Sequence, residues 1–111
     1  MTPTMPLNRI LLTGAAGGLG KVLRQSLKPS CKTLRLSDVA AMEPARSNEE
    51  TVVCDLADKA AVDALVAGSD AIVHMGGVST ERPFEEILEV NIKGVFHIYE
   101  AARRHGVRRV V

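Results

Sequence analysis

The chain has 111 residues, 46% of them hydrophobic, which is enough for one small domain with its own core. Fourteen basic and 13 acidic residues leave a formal charge of +1 spread along the sequence, which excludes the one-signed field that recruits nucleic acid or an anionic membrane. With one Tyr, two Phe and no Trp there is no stacking platform for single-stranded nucleic acid, and no apolar run approaches the roughly 18 residues that span a bilayer.

Cys31 and Cys54 lie far apart and form no CxxC pair, so they are read as reduced, small apolar residues. The N-terminus lacks the charged start and long apolar segment of a secretory signal, and a cytoplasmic location is expected.

After a Pro-containing start that is expected to fray, Arg9 to Thr13 (RILLT) reads as a buried strand ending in glycines. The glycine-rich stretch Gly14 to Gly20 leads into a helix from Lys21 to Leu27, with Val22, Leu23 and Leu27 on its apolar face and Pro29 closing it. Thr33 to Leu36 (TLRL) is a second strand ending at Ser37 and Asp38. Ala40 to Glu50, with Pro44, Ser47 and Asn48, is expected to be a mobile surface loop before a third strand, Thr51 to Cys54. Asp55 opens a helix from Ala57 to Val66 with Ala61, Val62 and Leu65 inward, and Gly68 ends it. Ala71 to His74 is the fourth strand.

Gly76, Gly77 and a polar stretch then precede a long helix that starts near Pro83 and runs to about His105, with Gly106 as its stop. Phe84, Ile87, Leu88, Ile92, Val95, Phe96, Tyr99 and Ala102 recur at three- and four-residue steps, so they are expected to form one broad buried face. Arg109 to Val111 opens a fifth strand. Strands alternating with helices give an α/β class: a Rossmann-type parallel sheet of order 3-2-1-4-5, helices on both faces, truncated at the fifth strand. Residues 1–111 are expected to be one such domain, N-terminal and incomplete.

The ligand crevice of this topology lies outside the carboxyl ends of strands one and four, and the motifs fall there. Gly14, Gly17 and Gly20, with Gly18 and Leu19 between them, give TGAAGGLG, a GxxGxxG spacing between a strand and a helix. A tight turn free of side chains, backbone N–H groups and a helix N-terminus suit a pyrophosphate. Asp38 closes the second strand 18 positions after Gly20, where an acid accepts hydrogen bonds from the adenosine ribose hydroxyls. That favours NAD over NADP, whose 2′-phosphate would meet a carboxylate; Arg35 lies within the strand and is expected to point elsewhere. The plainer reading of Asp38 is a turn cap.

Asp55 and Leu56 close the third strand, where an acceptor and an apolar side chain suit the adenine amine and ring, although Asp55 is equally read as a helix N-cap. Gly76 and Gly77 let the backbone lie against a cofactor, as a plain turn also requires.

Taken in order, TGAAGGLG, Asp38, Asp55-Leu56, HMGG from His74 to Gly77, and NIKGVFHIYEAA from Asn91 to Ala102 resemble the extended short-chain dehydrogenase/reductases. CDLAD with HMGGVSTERPF is similar, more narrowly, to the bacterial uronate dehydrogenases; the likeness runs from Leu7 to Val111. The resemblance implies oxidation of an aldohexuronic acid, such as glucuronate or galacturonate, to an aldarolactone with NAD as acceptor, in an enzyme expected to be a homo-oligomer. It implies that Ser79 lies beside the sugar and that Asn91 helps set the active-site helix. By its residues alone Ser79 is equally a loop or pre-helix serine, whereas Asn91 in an apolar helix is an amide that needs partners the helix backbone does not supply.

These enzymes use a Tyr-x-x-x-Lys pair, the lysine lowering the pKa of a tyrosine that takes the hydroxyl proton. Here the single tyrosine, Tyr99, is followed four residues on by Arg103, so Tyr99 reads as a helix residue and no catalytic residue is assigned. A fragment of a longer enzyme is expected, inactive alone. His74, His97 and His105 show no metal-ligand spacing, and His74 reads as a packed strand-end histidine. Arg103, Arg104, Arg108 and Arg109 suit a helix C-terminus, and Glu85 and Glu86 a first turn. Two alternatives stand beside the dehydrogenase: a non-catalytic dinucleotide-binding module, and a nucleotide-sugar epimerase or reductase.

Overall fold

A computed structural model describes residues 7–111, so the Pro-containing start lies outside the described residues. Five parallel strands form one sheet of order β3-β2-β1-β4-β5: β1 (Leu7–Thr13), β2 (Cys31–Asp38), β3 (Glu49–Val53), β4 (Ala71–His74) and β5 (Arg109–Val110). The sheet class and strand order are those expected from the alternation of strands and helices. β1 is central, with Thr13 opposite both Ser37 on β2 and His74 on β4. Successive residues of β1 supply opposite faces. Ile10 and Leu12 enter a core with Leu34 and Leu36, and Leu11 joins Ile72, Val62, Leu65 and Ile98 on the other side. Each fully buried Leu or Ile contributes roughly 2 kcal/mol.

α1 (Gly18–Leu27) lies on the first face, where Leu23 and Leu27 are partly buried. Val22, expected inward with them, is 60% exposed. The inward position is taken by Arg24, which apolar periodicity alone does not reveal: its guanidinium reaches Glu49 at 3.0 and 2.8 Å and donates to the carbonyls of Glu43 and Pro44. The loop after β2, expected to be mobile, is thereby fastened to α1, and β3 begins at Glu49 rather than Thr51 because Glu49 belongs to this buried pair.

α2 (Lys59–Val66) packs on the second face through Val62, Leu65 and Val66. Its N-cap is Asp58, whose Oδ1 accepts from the Ala61 N–H, whereas Asp55 makes an earlier turn by accepting from the Ala57 N–H. The expectation that Asp55 opens the helix is corrected: two acids stand three residues apart, and the one adjacent to the helical run caps it. Asp58→Ala is expected to cost about 1 kcal/mol of stability. A urea unfolding series in which Asp58→Ala leaves the midpoint unmoved would reject that assignment.

The long helix is not uniform. α3 (Phe84–Ile87) passes into a π turn, Leu88–Ile92, before α4 (Lys93–Arg104). In the π turn the Lys93 N–H reaches back five residues to the Leu88 carbonyl, so one extra residue is accommodated and the inward face rotates. Gly94, Ile98, Ala101 and Ala102 are buried, while Phe84, Ile92, Phe96 and Tyr99, expected inward at a constant 3.6-residue period, are exposed. No helix of the described residues is long and apolar enough to cross a membrane.

Candidate functional site

The carboxyl ends of β1 and β4, where the chain departs to opposite sides of the sheet, border a cleft of about 370 Å³. Thr13, Gly14, Asp38, Leu56, Gly76 and Ser79 are on its walls. The ends of four strands, β1 to β4, and the turns after them therefore meet in one place.

The turn after β1 is built for close approach. Gly14 has φ +70°, and a Cβ there would stand 2.5 Å from the Met75 carbonyl oxygen, so no side chain fits between β1 and β4. At Gly20 a Cβ would stand 2.0 Å from the Gly14 carbonyl, which lets α1 start directly against the turn. Gly17 is the N-cap of α1 and has no side chain to cap the first N–H groups; the first turn carries no acidic residue. These N–H groups and the positive end of the helix form an anion-binding donor set. Gly17 borders the cleft, Gly18 and the exposed Leu19 lie in the first turn of α1, and Gly20 is buried beneath it.

Asp38 ends β2 at the cleft. Its Oδ2 accepts from the Ala16 N–H and its Oδ1 from the Ala40 N–H, both at 3.0 Å. The carboxylate is thus held between the glycine turn and the loop after β2, with acceptor capacity left on each oxygen. Arg35 turns away from the cleft, to Glu50 and the carbonyls of Leu65 and Ala67, as its place within the strand implies.

On the neighbouring wall, Asp55 is exposed and Leu56 buried, and both border the cleft with Cys54. Burial, reinforced by Asp58 and Asp55, pushes the Cys54 thiol up, so it is an apolar wall group and not a thiolate. Gly76, Gly77 and Ser79 complete the far side.

Asn91 is not on the cleft wall. It lies in the π turn, where its amide makes two bonds to one residue: Oδ1 accepts from the Val78 N–H at 2.6 Å and Nδ2 donates to the Val78 carbonyl at 2.9 Å. The partners that a helical asparagine requires are found on the loop preceding Ser79. Tyr99 is exposed on α4, away from the cleft-lining residues.

Seven wall groups were not assigned to the site from sequence: Thr13, Ser37, Val39, Cys54, Met75, Val78 and Val90. Thr13 had a visible signal, being the polar residue that closes an otherwise apolar strand; it is 1% exposed, and its Oγ1 accepts from the Met75 and Gly76 N–H groups. Val39 and Met75 had none, because exposed apolar residues in loops are common. Among the described residues no group of three or more His, Cys, Asp or Glu is placed to hold a metal ion.

Residues 10–111 match the NAD dependent epimerase/dehydratase family. The chain is 69% identical to the uronate dehydrogenase of Pseudomonas syringae pv. tomato over 111 residues, which is 99% of this chain and 40% of that protein. It is 66% identical over 109 residues to the uronate dehydrogenase of Pseudomonas putida, 97% of this chain and 41% of that protein. The crystal structure of uronate dehydrogenase from Agrobacterium tumefaciens superposes with a TM-score of 0.91 at 56% identity, covering 96% of this chain and 40% of that one. The chain therefore spans about two fifths of the length of the curated relatives it matches. On this evidence the chain belongs to the NAD dependent epimerase/dehydratase family.

Proposed function

We propose that the protein oxidises an aldohexuronic acid, glucuronate or galacturonate, at the anomeric carbon to the aldarolactone with NAD as oxidant, and that residues 1–111 supply its cofactor-binding domain. The observation that carries this reading is the 69% identity to a uronate dehydrogenase along 99% of the chain. A mutant of the Agrobacterium tumefaciens enzyme complexed with NAD, 56% identical with a TM-score of 0.90, supports the cofactor.

The cleft's donor set fits a dinucleotide. The first-turn N–H groups of α1 at Gly18, Leu19 and Gly20 suit the pyrophosphate, with Gly14 and Gly17 keeping the turn clear of side chains. Asp38 has spare lone pairs for the adenosine diol. Leu56 and Val39 offer apolar surface for the adenine, with Asp55 an acceptor for its amine. Gly76 and Gly77 leave room along the nicotinamide side. When bound, NAD accepts the hydride from the sugar carbon. Ser79 would stand at the sugar end, and Asn91, through Val78, holds the loop that presents it.

The cytoplasm is the expected location, and a homo-oligomer the expected assembly. The exposed Phe84, Ile92, Phe96 and Tyr99 on α3, the π turn and α4 are consistent with further burial of that face.

A second reading is a dinucleotide-binding module without turnover, since the fold carries both kinds of function. The two readings separate in one experiment. Residues 1–111 are joined to the remaining segment of the Pseudomonas syringae uronate dehydrogenase, and NADH absorbance is followed with galacturonate and glucuronate. Turnover comparable to the parent is expected from the hybrid, and none from the 111-residue chain. A hybrid that binds NAD but oxidises neither uronate would remove the substrate reading and favour the binding module; turnover of a nucleotide sugar instead would favour an epimerase or reductase.

A further inference from the structure

At the carboxyl ends of β1 and β4 the Thr13 hydroxyl meets three groups. It lies 3.0 Å from the Met75 N–H, 3.0 Å from the Gly76 N–H and 2.7 Å from His74 Nδ1. A hydroxyl has one proton and two lone pairs. The backbone amides can only donate, so they take the oxygen's acceptor positions, the Met75 N–H being shared with the Thr13 carbonyl at 3.3 Å. With both amides on its lone pairs, the hydroxyl has its proton left for His74 Nδ1, 2.7 Å away, which accepts it when the ring carries its own proton on Nε2.

We propose that His74 is a positioning residue of the dinucleotide cleft: as a neutral ring protonated on Nε2, it takes the Thr13 hydroxyl proton and fixes that oxygen as the acceptor for the Met75 and Gly76 amides. The proposal rests on the dinucleotide reading of the cleft, and it assigns to His74 more than the packing role read from sequence. Burial, which lowers the His74 pKa, is consistent with the neutral ring.

The held amides matter to the site because the Met75 carbonyl and the Gly76 nitrogen are the nearest atoms to the position of a Cβ on Gly14, at 2.5 and 2.8 Å. The strand end that His74 and Thr13 fix is thus the surface against which the glycine turn is formed. A hydroxyl with no acceptor for its proton would be free to rotate and to turn a lone pair away from one amide.

The test uses the 111-residue chain, unaltered and as His74→Asn and His74→Leu. Asparagine can place its Oδ1 where the ring has Nδ1 and keeps an acceptor; leucine fills similar space without one. Three readouts are taken: the ¹⁵N shifts of the His74 ring, the exchange rates of the Met75 and Gly76 amides, and NAD affinity by calorimetric titration. The expected results are a ring protonated on Nε2 alone, exchange about tenfold faster and NAD about tenfold weaker in His74→Leu, and both effects largely reversed in His74→Asn. A ring carrying its proton on Nδ1 would overturn the proposal, as would equal losses in the two variants, since packing and not the acceptor would then matter. Should His74→Leu fail to fold, the ring shifts of the unaltered chain and the exchange pattern of His74→Asn decide. Absence of NAD binding by the folded, unaltered chain counts against the cofactor reading, whereas the ring and amide measurements judge the hydrogen-bond assignment separately.

Discussion

Arg24→Met is expected to lower the unfolding free energy by about 3–5 kcal/mol, because it leaves the Glu49 carboxylate buried without its main partner. The Glu49 side chain is wholly shielded from solvent and bonded to the guanidinium by both oxygens, and the Arg46 N–H donates to it as well. Lys28, 3.7 Å away, is a lesser partner. The same change frees the carbonyls of Glu43 and Pro44, so the loop after β2 loses its fastening to α1. Replacing both members, Arg24→Met with Glu49→Leu, should recover much of the loss, since a buried pair exchanged for apolar residues is often close to neutral. Urea unfolding of the single and double variants measures this, and a double variant as unstable as Arg24→Met would show that loop attachment, not the orphaned charge, dominates.

The pair also fixes the sign of a pH effect. The hydrogen bond from Arg24 holds the Glu49 carboxyl down to about 2, below its ordinary value of 4.5. A carboxylate whose pKa is depressed in the folded state contributes stability that is fully present above the unfolded pKa and is lost as pH falls through the folded one. Acid titration should therefore weaken this chain progressively from about 4.5 towards 2, and Glu49→Gln should flatten that limb.

The sheet was legible because its signals are local and redundant. RILLT, TLRL and AIVH are short apolar runs bounded by glycine or acid, and a parallel order follows from the helices between them. The cleft was legible for the same reason: Gly14, Gly17, Asp38, Asp55, Leu56, Gly76, Gly77 and Ser79 all sit at strand ends or in the turns after them, and the topology gathers those ends. What escaped depended on tertiary partners. Arg24 reads as a surface cation until Glu49 arrives from 25 positions away. The constant period used for the long helix does not register the residue inserted at the π turn, and it placed Phe84, which precedes that turn and is exposed, inward as well. Asn91, in the turn, finds its partner on a loop 13 positions earlier. Thr13 and His74 are adjacent only through strand register, 61 positions apart.

Asp38→Ala is expected to weaken NAD by more than tenfold, the scale of losing hydrogen bonds to a charged acceptor, and to weaken NADP less. The two losses have different origins. In the structure the carboxylate already accepts from the Ala16 N–H, so removing it orphans a donor in the glycine turn and penalises either cofactor alike. The additional loss falls on NAD alone, because its ribose offers a 2′-hydroxyl to the spare lone pairs, whereas the 2′-phosphate of NADP is repelled by the same carboxylate and gains when it is removed. Asp38→Asn separates these contributions: its amide oxygen can still accept from Ala16, while its NH2 group takes the place of the oxygen that accepts from Ala40. The glycine turn keeps its acceptor, the loop after β2 loses one, and with the charge gone NADP should improve relative to NAD. Titration of both cofactors against the three proteins gives the comparison. Equal weakening of NAD and NADP in Asp38→Ala, with Asp38→Asn like the unaltered chain for both, would make Asp38 a support of the glycine turn and take it out of ribose recognition.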